Sequence, residues 1–431
     1  MSKTIIVAGA GFAGLSAAHA LAEAGYHPVV LEASDRIGGK VKSELQKDKS
    51  SFIERGAQLV NPDMTEIVQL AAKAGFSIVR TGAGEDGVLI QAPERKVVEE
   101  PVEDHEEQLE LMQIETERHD VPLTDLFKRL ELKEKDKRVI SSMYGELLNV
   151  EPHLVSAAGF LSMNDRYPSE KEDTTHQING PLTELARYME KQLNEGIHYD
   201  EPVKDITTTA DGVKVTTEKN VWEAEGIVAA VPPSVGSKLT FSSGADKHFR
   251  EALESYVNGS IIKITWQYEE AFWTNLDING EEQAVSEVIY TNPDGVTVID
   301  SSMRGLNARL TMFIGAATAE SMATESEENL LNEAESWLID AVGPDAGKYI
   351  HRTSESWVNH PWCGGGYGDS IRIGHMIKPY NILREPYERI VFASSELSDT
   401  FPHFMEGAVR AGRAAAGRMI AHLQEKNSRG S

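Results

Sequence analysis

The chain has 431 residues, 40% hydrophobic and 26% charged, which is ordinary globular usage and excludes a disordered tail protein, a collagen-like repeat and a coiled coil. Lys and Arg total 42 against 68 Asp and Glu, a formal net charge of −26 that would repel a nucleic-acid backbone or an anionic membrane over most of the surface. The single cysteine, Cys363, rules out an internal disulfide and a thiolate zinc cluster and fits a cytoplasmic location, and the length predicts two interleaved domains with large cores.

Thr4 to Ala8 reads as a short buried strand, Phe12 to Ala24 as a helix of small residues, and Pro28 to Glu32 as a second strand ending in an acid. Ile5 to Ala22 is apolar enough to pass for a signal or membrane segment. Gly9, Gly11 and Gly14 would break a spanning helix, however, and suit a strand, a tight turn and a helix in succession. Glu99 to Glu117 is strongly acidic and is expected to form a solvated helix. Between Val203 and Val231 three short strands (VKDITTT, VKVTTE and IVAAVPP) predict a meander. Gly259 to Phe272 alternates like a half-buried strand, and the turn signals Asn279-Gly280 and Asn292-Pro293-Asp294-Gly295 imply a second sheet. Arg389 to Ser394 reads as a strand, Met405 to Gln424 as a long helix, and Ser428 to Ser431 as a frayed tail.

The GxGxxG pattern at Gly9, Gly11 and Gly14 allows a tight turn, a close backbone approach to a pyrophosphate and helix-on-strand packing. Eighteen residues after Gly14 comes Glu32, at the end of the second strand, where a carboxylate can accept hydrogen bonds from a ribose without a 2′-phosphate. Together these predict dinucleotide binding. Other chemistries are poorly supplied: His105-Glu106-Glu107 lacks a histidine four residues on, no GxSxG elbow or GxxxxGK[ST] loop occurs, and the 13 histidines show no metal-ligand spacing. Asn258-Gly259-Ser260 matches a glycosylation sequon but reads as a turn.

The residues that follow the fingerprint resemble a known family. Glu32 to Lys40 (EASDRIGGK) is similar to the EAxxRxGGR extension of FAD-dependent amine oxidases, the group of monoamine, polyamine and bacterial 6-hydroxynicotine oxidases. Its glycines and basic groups, Gly39, Arg36 and Lys40 among them, would suit a second phosphate approach. Glu54 to Leu59 (ERGAQL) resembles that family's loop beneath the flavin, which implies cofactor contacts for Ala57, Gln58 and Leu59. Val203 matches the residue whose backbone meets adenine. Gly259 to Lys263 resembles the strand whose lysine, here Lys263, reaches flavin N5 through a water.

Trp357 and Gly364-Gly365-Gly366-Tyr367 resemble the tryptophan and GGCY segments of monoamine oxidases, and Gly366 stands where those enzymes bond a cysteine to FAD. The resemblance therefore implies noncovalent FAD, with Cys363 an inert thiol. Tyr367 and Phe404 would form the two walls of an aromatic cage. FASSE at 392 to 396 and FPHFMEGAV at 401 to 409 resemble the family's FAGTE and GYMEGAV, and SSELSDTFPHFMEGAV is especially similar to 6-hydroxynicotine oxidase. A helix beginning near Met405 would aim its positive end at the flavin, and Glu396 would reach the ribityl or phosphate region. Ser394 and Ser395 depart from the usual Gly-Thr.

The resemblance implies an α/β fold, α+β overall. A Rossmann-like FAD-binding domain of the two-dinucleotide-binding type (1–80, 195–258 and 375–425) would be interleaved with a substrate domain of mixed sheet and helices (81–194 and 259–374). It implies oxidation of a secondary or cyclic amine, 6-hydroxynicotine-like compounds included. Hydride passes to flavin N5, the imine hydrolyses, and O2 becomes H2O2. No arginine follows Gln58-Leu59 at the place where amino-acid oxidases of this superfamily clamp a carboxylate, which favours an amine without one. Glu146 and Tyr290 are candidate substrate residues, Glu146 as an acid that reads a second cationic or N–H group. Two alternatives stay open: a dehydrogenase of the same fold with another acceptor, and a flavin-binding protein without amine turnover. The expected partners are the amine and O2, with no nucleic acid, membrane or metal, and a homodimer is left open.

Overall fold

The computed structural model describes residues 3–46, 51–82, 87–98, 119–169, 175–303 and 307–430. The acidic run Glu99 to Glu117, with the His105-Glu106-Glu107 triplet inside it, lies outside the described residues.

Strand β1 (Thr4–Ala8), helix α1 (Phe12–Glu23) and strand β2 (His27–Leu31) form the opening βαβ unit, with Glu32 immediately after β2. β1 is central in a parallel four-stranded sheet, flanked on one side by β2 and on the other by Gly226–Ala229, which in turn pairs with Ile390–Phe392. Ile227, Val228 and Ala229 are fully buried, as expected of an apolar run in a parallel strand covered on both faces. This corrects the expected meander: Ile227 to Ala229 belongs to the parallel sheet. The third meander strand is Val221–Ala224, paired with Val213–Thr216, which pairs in turn with Asp205–Thr208. The C-terminal helix Met405–Gly430 packs along α1. A Cβ on its Gly412 would lie 2.0 Å from the Ala13 carbonyl oxygen, so the two helices touch backbone to backbone. That helix continues through the expected frayed tail to Gly430, beyond the good helix formers Gln424, Glu425 and Lys426.

The second body is a seven-stranded mixed sheet ordered His351–Ser356, Ile261–Tyr268, Ala308–Gly315, Val296–Asp300, Val285–Tyr290, Val88–Ala92 and Lys96–Val97. The Ile261–Tyr268 strand is more buried than its alternation predicts, because it is interior to the sheet and covered on both sides. One face packs Trp266, Met312 and Tyr290 against the Glu327–Val342 helix. The opposite face carries Lys263, paired with Phe313, which is paired with Thr297, which is paired with Ile289. This polar and aromatic face turns toward the segment that holds Gly56 and Gln58. Among the described residues no helix is long and apolar enough to cross a membrane.

Candidate active site

A cavity of about 520 Å³ runs from the α1 N-terminus, between the two bodies, to the Lys263 face of the seven-stranded sheet. At its near end the glycines have steric work to do. A Cβ on Gly14 would lie 1.9 Å from the Gly9 oxygen, and one on Gly9, at φ +108°, would lie 2.6 Å from the Ala230 oxygen. Helix and strand therefore meet with nothing between them, and the first turn of α1, Phe12 and Ala13, opens on the cavity. Gly39, at φ +59°, passes so close to Gly11 that a Cβ would sit 3.2 Å from its Cα. These absences of side chain leave a backbone cradle for a pyrophosphate. Gly14 serves it from behind and is not in the wall.

Glu32 is in the wall and 6% exposed. One oxygen accepts from the Ala10 N–H at 2.8 Å, and the other from the Ser34 N–H and hydroxyl at 2.9 and 2.7 Å. It thus fixes the fingerprint turn and holds a carboxylate where a ribose would lie; Ser34 was not legible as its partner. Val203 lines the same end. Arg36 does not face the cavity: its guanidinium donates to the Gly39 and Val41 carbonyls at 2.7 and 2.9 Å and lies over the Trp357 ring. It shapes the second glycine turn from outside.

Farther in, Lys40 donates to the Tyr367 carbonyl at 3.0 Å and lies 3.7 Å from Glu396, which is 4% exposed. Burial works against ionising Glu396, but the Lys40 charge and backbone hydrogen bonds hold its pKa below the ordinary value. Asp369, next to it, is pushed up to about 6 by burial and the Glu396 charge. Met405 begins the C-terminal helix at the wall, with Phe404 just before it, which brings the helix's positive end to the cavity. Glu406, fully buried, accepts from the Ile67 and Glu66 N–H groups at 2.8 and 3.1 Å and locks that helix to its neighbour.

Lys263 is 4% exposed and donates to the Gly56 carbonyl at 2.8 Å and to Gln58 Oε1 at 2.5 Å. Burial drives its pKa down, against the pull of Glu54, and burial drives Glu54 up. Gln58 passes the chain on to Gln177 at 2.8 Å, and Gln177 to the Ser301 carbonyl at 2.9 Å. Gln58 therefore orients Lys263 rather than lining the cavity, while Ala57 does line it. Leu59 is spent in a small sheet, opposite Gln177. Glu54 was missed by sequence reasoning, since only the fold brings it near Lys263 and Arg309.

Tyr367 and Trp357 complete the wall. The Trp357 indole N–H donates to the Arg55 carbonyl at 3.0 Å. The Tyr367 N–H donates to Asn149 Oδ1 at 2.7 Å, and its hydroxyl to Glu146 at 2.6 Å. Asn149 ends its helix at φ +56°, a left-handed cap that frees its side chain for this bond. Burial, followed by the Glu146 charge, raises the Tyr367 hydroxyl well above its ordinary pKa, and burial raises Glu146 to about 7. Glu146 itself is outside the cavity wall and grips a wall residue. Tyr290 is a correction: strand alternation places it on the face opposite Lys263, and its hydroxyl donates to the Trp337 carbonyl at 2.9 Å.

The donor set fits FAD. A glycine cradle, a helix N-terminus and a buried carboxylate are joined by the Ser394 hydroxyl, a buried polar atom in the wall with no partner. Gly366 leaves no room for a flavin-bonding side chain, because a Cβ there would lie 2.7 Å from Asn149 Oδ1 and 3.0 Å from Gly259 Cα. Cys363 also lines the cavity, with burial pushing its thiol up to about 11, far from a reactive thiolate. Among the described residues no group of three or more His, Cys, Asp or Glu side chains could hold a metal ion.

Comparison with known proteins agrees with this geometry. The chain is 26% identical over 467 residues to amine oxidase [flavin-containing] B of Homo sapiens, covering 98% of this chain and 86% of the relative. It is 25% identical over 457 residues to amine oxidase [flavin-containing] of Oncorhynchus mykiss, covering 97% and 86%. Its fold matches cyclohexylamine oxidase from Brevibacterium oxydans IH-35A with a TM-score of 0.86 at 20% identity, over 98% of this chain and 100% of that one. It matches putrescine oxidase bound to putrescine with a TM-score of 0.83 at 22% identity, over 98% and 99%. With the flavin containing amine oxidoreductase model matching residues 12–420, which take in α1, the second glycine turn, the lysine strand and most of the C-terminal helix, the chain belongs to that family of FAD-dependent oxidoreductases.

Proposed function

We propose that the chain oxidises a secondary or cyclic amine without a carboxylate, 6-hydroxynicotine-like amines included, at the carbon next to nitrogen, with dioxygen as the final acceptor. The imine hydrolyses, so amine, dioxygen and water give a carbonyl group, a released amine group and hydrogen peroxide. FAD, held noncovalently, supplies the hydride acceptor. The observation that carries the reading is the meeting of Lys263, Tyr367 and Phe404 in the wall of one cavity.

Each residue has a task its chemistry suits. Two Lys263 N–H groups are taken by Gly56 and Gln58, which leaves a third for a water, and its lowered pKa makes that proton easier to give up than an ordinary lysine's. Tyr367 keeps its proton and donates it in a hydrogen bond to Glu146, so it orients an amine with its ring and is no base. Apolar and aromatic walls favour the neutral amine, whose lone pair assists hydride loss, over the ammonium ion. Among the described residues no arginine lines the cavity, which supports a substrate lacking a carboxylate. The proposed division into a cofactor domain (1–80, 195–258 and 375–425) and a substrate domain (81–194 and 259–374) follows the two large sheets. A cytoplasmic location is supported by the free, buried Cys363.

A panel of secondary and cyclic amines, each with its carboxylated counterpart, tests the specificity through amine-dependent hydrogen peroxide release. Turnover of the amines and neglect of the amino acids is expected. Turnover of the amino acids alone would overturn the assignment.

A further inference from the structure

We infer that His403 belongs to the cofactor site, where its imidazole offers a ring nitrogen as hydrogen-bond acceptor to a hydroxyl of bound FAD. The inference rests on FAD being the cofactor and not on which amine is oxidised.

His403 lines the cavity beside Lys40, Glu396 and Phe404. It does so from a left-handed backbone, φ +68°, a conformation that glycine adopts freely and histidine does not. A strained residue persists where its surroundings hold it, and here they do. The ring lies flat on Gly368: a Cβ on that residue would come within 2.3 Å of His403 Cδ2, 2.5 Å of Cγ and 2.6 Å of Nε2. Position 368 must therefore lack a side chain for the imidazole to sit where it does, so two positions are fitted to one ring.

The Asp369 backbone lies beside the ring. Burial holds its pKa well below the ordinary histidine value despite the neighbouring Glu396 charge, so the ring is neutral and one of its nitrogens carries a lone pair. Lys40 is engaged elsewhere, with the Tyr367 carbonyl and Glu396. The same wall holds the buried, unpartnered Ser394 hydroxyl. An acceptor nitrogen and a free hydroxyl on one wall match a ligand segment rich in hydroxyl groups, as the ribityl chain of FAD is.

The test is FAD affinity, measured by flavin fluorescence on apoprotein reconstituted with FAD, together with the thermal midpoint of the apoprotein. His403→Gly relieves the backbone and deletes the ring; His403→Asn tolerates the same backbone and keeps an acceptor oxygen. The glycine variant should bind FAD about tenfold more weakly with an apoprotein midpoint no lower than the parent's, and the asparagine variant within about threefold of the parent. Parental affinity in the glycine variant would overturn the inference. So would equal weakening in both variants, which would make the ring's shape and not its acceptor the cause. Loss of fold in the glycine variant would make the imidazole a structural brace and overturn it as well.

Discussion

The Tyr367 hydroxyl donates a hydrogen bond to the Glu146 carboxylate at 2.6 Å, joining a wall of the cavity to a helix 221 residues away in the chain. The same tyrosine is held through its backbone N–H by Asn149, three residues beyond Glu146 on that helix. Two bonds from one helix end thus fix the ring in both position and tilt.

This relationship predicts how the two residues respond to substitution. Glu146→Ala should lower kcat/KM for the amine about tenfold while leaving FAD bound, because the ring loses one of its two anchors. Glu146→Gln, whose amide oxygen still accepts, should stay within about threefold. Steady-state kinetics together with flavin content checks both, and equal losses in the two variants would contradict the anchoring role.

The pH dependence of stability follows from the same carboxyl. Its folded-state pKa, about 7, lies above the ordinary value of 4.5. Its contribution is therefore fully present below about pH 4.5 and is lost as pH rises through 7. Discounted for the part of the group open to water, the loss should be about 2 kcal/mol between pH 5 and 8 and should be missing in Glu146→Gln. Urea unfolding of both proteins at the two pH values measures it. Lys263, whose pKa is lowered, titrates in the opposite sense: its contribution is present above its ordinary value of 10.5 and is lost as pH falls.

Lys263→Met should keep FAD bound yet slow flavin reduction or reoxidation at least about tenfold, since its third N–H is the one free to reach the reacting region. The substitution also orphans the Gly56 carbonyl and Gln58 Oε1, at about 1 to 3 kcal/mol in stability. Stopped-flow measurement of the two half-reactions separates these effects. Unchanged rates in both would remove the lysine from the mechanism.

Gly14→Ala and Gly25→Ala form a contrasting pair. At Gly14 the new Cβ would meet the Gly9 oxygen at 1.9 Å, backbone against backbone, so the fingerprint should not close and FAD-loaded protein should not form. Gly25, at φ +83°, has nothing within 4 Å, and alanine there should cost only about 1 to 2 kcal/mol with FAD retained. Flavin content and thermal midpoint distinguish the two.

What was legible in the sequence was local. The glycine fingerprint, β2 and Glu32 lie within one βαβ unit, and their spacing alone predicts their geometry. The role of Gln58 and Glu54 toward Lys263 was not legible, because the 54–58 segment, Gln177, Ser301 and Lys263 lie far apart in the chain and become neighbours only when the sheet meets the cofactor body. Tyr290 shows the limit of alternation: the pattern gives two faces, but only the register of Ile289 with Thr297, and of Thr297 with Phe313, tells which face holds Lys263. Ile227 to Ala229 reads as part of the meander because a short apolar run carries no record of its partners; its full burial between β1 and Ile390–Phe392 does. His403 went unread because a positive φ at a non-glycine residue leaves no trace in composition or periodicity.

The most direct test of amine oxidation by this chain is the flavin absorption spectrum during anaerobic addition of a secondary amine, followed by admission of air. The expected result is a flavin released by acid denaturation, bleached by the amine faster as pH rises toward the amine pKa, and restored by air with hydrogen peroxide formed. A flavin bleached by no amine would contradict it. Bleaching that air does not reverse would contradict the oxidase assignment and leave a dehydrogenase.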